Sequence, residues 1–366
     1  MQVFLDNIVF SIQKAGGVSA YWYELLCGMS NSGLSVGCLN ARPQSDNIFE
    51  RNIDYHRFNC IRESWIPHKY LRYLPLRYSL PPAAVFHGGY LRVSPQKDIL
   101  NILTVHDFAH ERKLATKFPR GLANTLQKAY SIRRADGIIC ISNSTRRELL
   151  HFFPDIHPAK VKVIHHGIGN FFPISKQQPV SCSLHMDLQK KFILYVGARR
   201  HYKNFFMAVK TMELLSPSYH LVAVGGEPWN KKEMNMMEEK IAGRYHIFPA
   251  ISQADLNVLY NHAFCLLYTS AYEGFGFPPG EAMKAGCPVV TTGATSMPEV
   301  VGDAGLMAES ADPVLFAEKI SALENENYRQ QLIKQGLQRV QQFTWDKSVQ
   351  ETIGFYKDCW NLKFST

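Results

Sequence analysis

The sequence predicts an α/β protein of two doubly wound domains, each built on a parallel sheet. Three observations carry that prediction. Short apolar runs alternate along the chain with longer helical patterns, and strands that alternate with helices imply parallel sheets. The alternation breaks once, after Gly167: residues 170–183 are rich in Phe, Pro, Ser and Gln and show no period. That stretch reads as an interdomain linker. A chain of 366 residues also has the length of two domains.

In the first half, strands are expected at 2–5, 34–39, 84–87, 100–105, 137–141 and 161–165. The strongest helical patterns there are 18–30, 121–134 and 145–152, the last opening on Thr145-Arg-Arg-Glu148, which has the form of a capping box. The second half runs strand 192–196, helix 204–215, strand 220–224, helix 230–242, strand 245–248, helix 253–261 and strand 263–268. A short helix at 281–285, a strand at 288–291 and one helical stretch over 312–341 follow. Residues 346–366 form a final amphipathic segment.

The composition is that of a globular protein with sizeable cores. No apolar run approaches the ~20 residues that span a bilayer. Met1-Gln-Val-Phe-Leu5 is strand-like from the start, so no signal peptide is expected. The eight cysteines are scattered, with no Cys-x-x-Cys pair. They read as reduced, mostly buried thiols, which excludes a disulfide framework or a zinc site and suits the cytoplasm. The net charge of +9 lies wholly in residues 1–172, which hold 21 Lys and Arg against 12 Asp and Glu; the remainder is balanced. A basic half of this kind suits an anionic partner, such as a membrane face or an acidic substrate, or is simply a solvated surface.

Residues 270–290 carry the most specific signal. Glu273 and Glu281 bracket a turn, Gly274-Phe275-Gly276-Phe-Pro-Pro-Gly280, between an apolar strand and a helix. In open α/β sheets ligands bind at the carboxyl ends of the strands. Gly274 and Gly276 let the backbone approach a ligand, and free N–H groups at the helix start favour anions. Ser296-Met-Pro-Glu-Val-Val-Gly-Asp-Ala304 follows. Together these residues resemble the two-glutamate motif of retaining GT-B glycosyltransferases of the family 4 type, and the resemblance extends over nearly the whole chain. It implies a GT-B fold: two Rossmann-like doubly wound domains facing a central cleft. The domains would be 1–172 on the acceptor side, 173–345 binding the nucleotide sugar, and a C-terminal helix, 346–366, crossing back to the first domain. Trp345, Phe355, Tyr356 and Trp360 would anchor that helix.

The resemblance also implies roles. Glu273 would bind sugar hydroxyls and Glu281 the ribose. Arg199 and Lys203, in Gly197-Ala-Arg199-Arg200-His-Tyr-Lys203-Asn204, would clamp the diphosphate, with Arg200 as the alternative to Arg199. Two fixed cations aimed at a leaving diphosphate stabilise the transition state more than the ground state. Gly16-Gly17, at the start of a helix, would face the same diphosphate. The spacing is not Gly-x-Gly-x-x-Gly, so the NAD fingerprint is absent. His106, in Thr104-Val-His106-Asp107, ends a strand and would contact the transferred sugar. Gly225 and Ile251 end further strands and would border the diphosphate and the base. Gly274, Phe275 and Gly276 complete the donor-binding set. His87, in His87-Gly88-Gly89, would line the acceptor side.

Pro67-His-Lys-Tyr70-Leu-Arg72-Tyr73-Leu-Pro-Leu-Arg77-Tyr78 interleaves basic and aromatic residues. Tyr70, Arg72, Tyr73 and Arg77 suit a membrane interface or a polyprenyl-linked acceptor, or equally an ordinary half-buried helix and loop. No nucleic-acid motif accompanies the charge. The expected activity is retaining, metal-independent transfer of a hexose to a growing cell-surface glycan such as O-antigen, lipopolysaccharide or capsule. The expected place is the cytoplasm, at the inner face of the membrane. The Ser-x-Pro-Glu-Val run resembles that of mannosyltransferase-like members, which implies mannose or a related sugar and a GDP-sugar donor, with UDP-sugars as the other class; no cofactor or metal is expected. Two further readings are a sugar-nucleotide epimerase of the same fold and a catalytically silent glycan-binding partner subunit.

Overall fold

A computed structural model describes residues 1–40, 45–63, 65–115, 119–174, 184–199 and 201–365. Arg200 and most of the expected linker lie outside these residues. The chain divides into two compact units, 1–167 with 343–366, and 168–342.

The first unit is a seven-stranded sheet in the order β3-β2-β1-β4-β5-β6-β7, every pair parallel. Its strands are β1 (Gln2–Asp6), β2 (Ser35–Leu39), β3 (Asn59–Ile61), β4 (Val85–Gly88), β5 (Leu100–Val105), β6 (Gly137–Cys140) and β7 (Val161–Val163). Its helices are α1 (Ile8–Ile12), α2 (Gly17–Ser30), α3 (His68–Leu71), α4 (Arg120–Arg134) and α5 (Asn143–Phe152). Helix α5 starts two residues earlier than expected. Its cap is Ser142, whose hydroxyl accepts from the Thr145 N–H at 3.0 Å, so Thr145 is the third helical residue and not the cap.

Helix α13 (Trp345–Phe364) belongs to this unit. It packs Val349, Ile353, Phe355 and Tyr356 into a core with Val3, Leu5, Trp22 and Ile102. Trp360 donates from Nε1 to the Ala83 carbonyl at 2.7 Å, and Lys363 pairs with Asp136 at 2.8 Å.

The second unit is a six-stranded parallel sheet in the order β10-β9-β8-β11-β12-β13. The strands are β8 (Phe192–Val196), β9 (His220–Val224), β10 (Tyr245–Phe248), β11 (Cys265–Tyr268), β12 (Val289–Thr292) and β13 (Leu306–Ala308). The helices are α6 (Phe205–Leu214), α7 (Lys231–Ile241), α8 (Gln253–His262), α9 (Phe277–Lys284), α10 (Met297–Val300), α11 (Pro313–Ala322) and α12 (Glu326–Arg339). The stretch expected as one helix over 312–341 is two, because the Asn325 side chain accepts from the Tyr328 N–H and caps a new start. Ile193, Tyr195, Leu221, Leu267 and Phe316 lie in its core.

Both sheets have a switch point where the strand order reverses, at β1/β4 and at β8/β11. A crevice opens there beyond the carboxyl ends, and open α/β sheets bind ligands in it. The seven described cysteines are free thiols. Among the described residues, no helix is long and apolar enough to cross a membrane.

Candidate functional site

In the second unit, Lys203 follows β8 and Glu273 follows β11, the two strands of the switch point. Lys203 Nζ meets Glu273 Oε1 at 2.5 Å, with both side chains mostly buried. The Tyr268 hydroxyl donates to the same oxygen at 2.5 Å. Burial and the Glu273 charge push the Tyr268 phenol well above its usual range, so it stays a donor. Oε2 of Glu273 accepts from none of the described residues. The backbone is fixed as well. The Glu273 N–H donates to Thr295 Oγ1 at 2.9 Å, and the Ser296 hydroxyl donates to the carbonyls of Glu273 and Phe275 at 3.0 and 2.8 Å. The turn carrying Lys203 is tied to β11 by the Thr269 hydroxyl, which donates to the Lys203 carbonyl at 2.9 Å.

Glu281 is held by the Tyr260 hydroxyl at 3.0 Å. It keeps part of its surface exposed, yet burial pushes its carboxyl up to about 7, with the Tyr260 bond working in the other direction. It lies in the second turn of α9, because the helix starts at Phe277 and not at Glu281. Pro278 and Pro279 occupy the first turn and have no N–H. The helix start therefore offers fewer anion donors than expected. Gly276 takes φ +103°, a backbone conformation that favours glycine, and a Cβ there would also press on the end of the Met297 side chain.

Arg199 is placed differently from the expectation of a diphosphate clamp. Its Nε donates to Glu233 at 3.1 Å, Nη1 to the Gly225 carbonyl at 2.8 Å, and Nη2 to the Glu227 carbonyl. Its guanidinium lies 3.9 Å from the centre of the Trp229 ring. In this conformation Arg199 braces the 225–233 loop. Gly225 and Gly226 both have positive φ in that loop. Ile251, half-buried, precedes Ser252, the cap of α8.

In the first unit, His106 and Asp107 follow β5 and line a cavity of about 150 Å³ with Gln13, Gly89, Asn124 and Lys128. Burial pushes the His106 imidazole down to about 4, so it is neutral at pH 7; Asp107 opposes that shift and Lys128 adds to it. Its ring lies 5.4 Å from Tyr21 and 5.5 Å from His166. Gly16 caps α2 with φ +155°.

His87 corrects the expectation of an acceptor-lining residue. It is fully buried, and both ring nitrogens are engaged, Nδ1 with the Tyr356 hydroxyl at 2.5 Å and Nε2 with Thr104 Oγ1 at 2.9 Å. It joins α13 to β4 and β5. In the basic-aromatic stretch, Tyr70 is exposed, and the Arg72 guanidinium lies 4.1 Å from the Tyr90 ring centre and 5.0 Å from that of Tyr73. Arg77 is exposed.

Sequence reasoning missed Tyr268, Tyr260, Thr295 and Trp229, which hold the charged groups. Tyr268 ends an expected strand five residues before Glu273 and was open to discovery; Tyr260 lies 21 residues before Glu281 and left no local signal. Among the described residues, no group of three His, Cys, Asp or Glu converges as a metal site.

Two family models match the chain, Glycosyltransferase Family 4 over residues 15–169 and Glycosyl transferases group 1 over residues 183–339. O-antigen chain mannosyltransferase B of Escherichia coli is 29% identical over 238 residues, 62% of this chain and 62% of that protein. O-antigen chain mannosyltransferase RfbU of Salmonella typhimurium is 24% identical over 208 residues, 54% of this chain and 56% of its own length. The matches thus span about three fifths of these relatives. Sucrose-phosphate synthase from Thermosynechococcus elongatus has the same fold, with a TM-score of 0.78 at 20% identity, covering 99% of this chain and 100% of that one.

Proposed function

This chain belongs to the family 4 glycosyltransferases of GT-B fold, and we propose that it moves a hexose from a nucleoside-diphosphate sugar to a growing, lipid-linked surface glycan. The observation that supports this most is the Lys203–Glu273–Tyr268 cluster at the β8/β11 switch point, with Glu281 and Tyr260 beside it. Lys203 and Glu273 are each other's counter-ion in the free protein. A donor replaces both roles: its diphosphate takes Lys203, and its sugar hydroxyls take Glu273, whose second oxygen has no other partner among the described residues. Tyr268 keeps the carboxylate in place during the exchange. Glu281 accepts from the ribose hydroxyls.

In the proposed step, the bond from the sugar C1 to the diphosphate oxygen breaks. The acceptor hydroxyl oxygen bonds to C1 on the same face, so configuration is retained. The hydroxyl proton passes to the leaving phosphate oxygen. Lys203 neutralises the charge that grows on the diphosphate, the point at which a fixed charge lowers the barrier most. Arg199 keeps the Gly225 loop in shape for the diphosphate. Gly16 and Gly17 serve the diphosphate, Ile251 and the Gly274–Gly276 turn the rest of the donor, and His106 the transferred sugar as a neutral group. The reaction needs no metal or cofactor in this reading.

The names of the two curated relatives and the Ser296–Ala304 run favour mannose and a GDP-sugar. Neither the epimerase nor the silent-partner reading has an observation in its favour. The test supplies GDP-mannose, or UDP-glucose as the competing donor, with a polyprenyl-linked glycan in EDTA. Mannose transfer with retained α-configuration by NMR supports the proposal. Transfer only from the UDP-sugar would replace the donor, and inversion would remove the same-face step.

A further inference from the structure

Cys38 and Cys60 stand opposite one another on neighbouring strands. In the parallel pairing of β2 with β3, Cys38 is in register with Cys60, and Leu39 with Ile61. Side chains alternate along a strand, and Leu39 and Ile61 pack together in the core around Phe4 and Phe86. Cys38 and Cys60 therefore share the other face, where Cys38 joins the core of Leu5 and Trp22. Neighbouring strands run about 4.8 Å apart, inside the span of about 4.4–6.8 Å between the Cα atoms of a disulfide.

The two thiols differ in access. β3 is an edge strand, and Cys60 is the one exposed thiol among the seven described cysteines. Cys38, one strand further in, is fully buried. Cys60 Sγ donates to the Tyr55 carbonyl at 3.7 Å. A hydrogen bond from Cys38 holds the Cys60 thiol below its usual range, with burial working against the shift. The same contact, together with burial, pushes Cys38 up. The thiolate is the reactive form, so Cys60 is the thiol that an oxidant in solvent reaches and attacks, and Cys38 is a protonated reserve behind it. Neither sulfur belongs to the Lys203–Glu273 cluster or to the cavity beside His106.

We propose that Cys60 and Cys38 form a peroxide-oxidised dithiol that fastens the edge of the first sheet. The Cys60 thiolate attacks one oxygen of hydrogen peroxide; the O–O bond breaks, hydroxide leaves, and Cys60 becomes a sulfenic acid. The Cys38 sulfur then attacks the Cys60 sulfur. The S–S bond forms, the S–O bond breaks, and the hydroxyl leaves as water with the Cys38 proton. The first hydroxide takes up the proton that Cys60 gave, so two thiols lose two electrons and peroxide becomes two waters. The bond ties a strand of three residues, paired on one side only, to β2. That strand runs on into Glu63, which pairs with Arg92 and accepts from Asn40 beyond β2. The proposal goes beyond the transferase reading and needs neither donor nor acceptor.

The test treats the full chain, freed of reductant, with hydrogen peroxide and reads its unreduced peptides by mass spectrometry. Expected is one peptide pair joined through Cys38 and Cys60, lighter by two hydrogens and separated again by dithiothreitol. Cys27 and Cys38 fall in one tryptic peptide, so a link that persists in Cys27→Ser assigns the partner. In Cys38→Ser, Cys60 stops at the sulfenic acid and is trapped by dimedone. Should that buried change unfold the chain, Cys60→Ser carries the test: it forms no link, and its Cys38 resists peroxide. Maleimide labels Cys60 of the reduced chain at least about tenfold faster than Cys27, whose thiol burial pushes up. Hydrogen exchange at residues 59–63 slows on oxidation and recovers with dithiothreitol. A link through Cys27, a disulfide between two chains, or a Cys60 that peroxide leaves intact overturns the proposal. Unchanged exchange at 59–63 overturns the fastening of β3.

Discussion

At the switch point of the second unit the Lys203–Glu273 pair leaves one carboxylate oxygen without a partner among the described residues, whereas at that of the first Asp6, Arg92 and Glu63 close on one another in full burial, and the histidines beyond them are neutral. Lys203 and Glu273 stand in the turns beyond the strand ends and Glu281 in the second turn of α9, each held by a tyrosine or by one another. His87 and His106 of the first unit are both driven below the usual imidazole range by burial; their neighbours are aromatic rings, a threonine hydroxyl and, at His106, the charges of Asp107 and Lys128. Under the proposed function, this difference gives the two units different ligands. Fixed charges suit a diphosphate, whose own charge changes as the bond breaks. Under the proposed function, a neutral His106 in a cavity that also holds Asp107 and Lys128 suits a sugar hydroxyl.

The comparison breaks most visibly at Lys203. Lys203→Ala should lower kcat about 10²–10³-fold, the cost of losing one donor aimed at developing negative charge. Transfer assays at saturating donor measure it. A loss in KM alone would mean that Lys203 holds ground state and transition state equally. Next in size, Glu281→Ala should weaken nucleotide binding by roughly 1.5–3 kcal/mol, the worth of a charged hydrogen bond. Titration calorimetry reads this directly, and an unchanged affinity would remove Glu281 from the ribose site.

His87→Ala sharpens the other side of the comparison. It leaves the Tyr356 and Thr104 hydroxyls without their buried partner, at a cost of about 1–3 kcal/mol in unfolding free energy. Denaturant unfolding should show that loss, while nucleotide affinity stays the same. Unchanged stability together with a raised acceptor KM would restore His87 to the acceptor site.

These predictions rest on features of unequal legibility in the sequence. Strands 100–105, 192–196 and 220–224 fall where the apolar runs place them, because a strand covered on both faces is largely apolar throughout; 245–248, half-buried at the sheet edge, falls in place as well. Strands Asn59–Ile61 and Leu306–Ala308 went unseen, since three residues hold too little pattern and pairing alone defines them. The glutamates were legible through their Gly/Pro frame. Of their tyrosine partners, Tyr268 lay within local reach, five residues before Glu273, whereas Tyr260 on α8 meets Glu281 on α9 only through packing. Arg199 shows the limit from the other direction. A basic residue after a strand looks the same in sequence whether it faces a phosphate or braces a neighbouring loop against Glu233 and Trp229.

The smallest expected effect concerns pH. Glu281 has its carboxyl raised to about 7 by burial, above its unfolded value. The native state therefore binds more protons than the unfolded one between those values, and the stability this lends is full below the unfolded range and lost as pH rises through about 7. Glu281→Gln removes that dependence. Its melting temperature should match the parent in acid and exceed it above pH 7, even as nucleotide binding weakens. The parent should also bind nucleotide less well as pH falls below about 7, because a protonated Glu281 accepts fewer ribose hydrogen bonds. Melting curves across pH, with and without nucleotide, check both signs.

The central claim, a metal-free donor site built on Lys203 and Glu273, is tested most directly by thermal stabilisation of the purified protein with GDP, UDP and ADP in EDTA. Binding to the native state raises the melting temperature by mass action. The account predicts a rise with one nucleotide, GDP, that disappears in Lys203→Ala. A rise that needs added Mg²⁺, that survives Lys203→Ala unchanged, or that no nucleotide produces would contradict it.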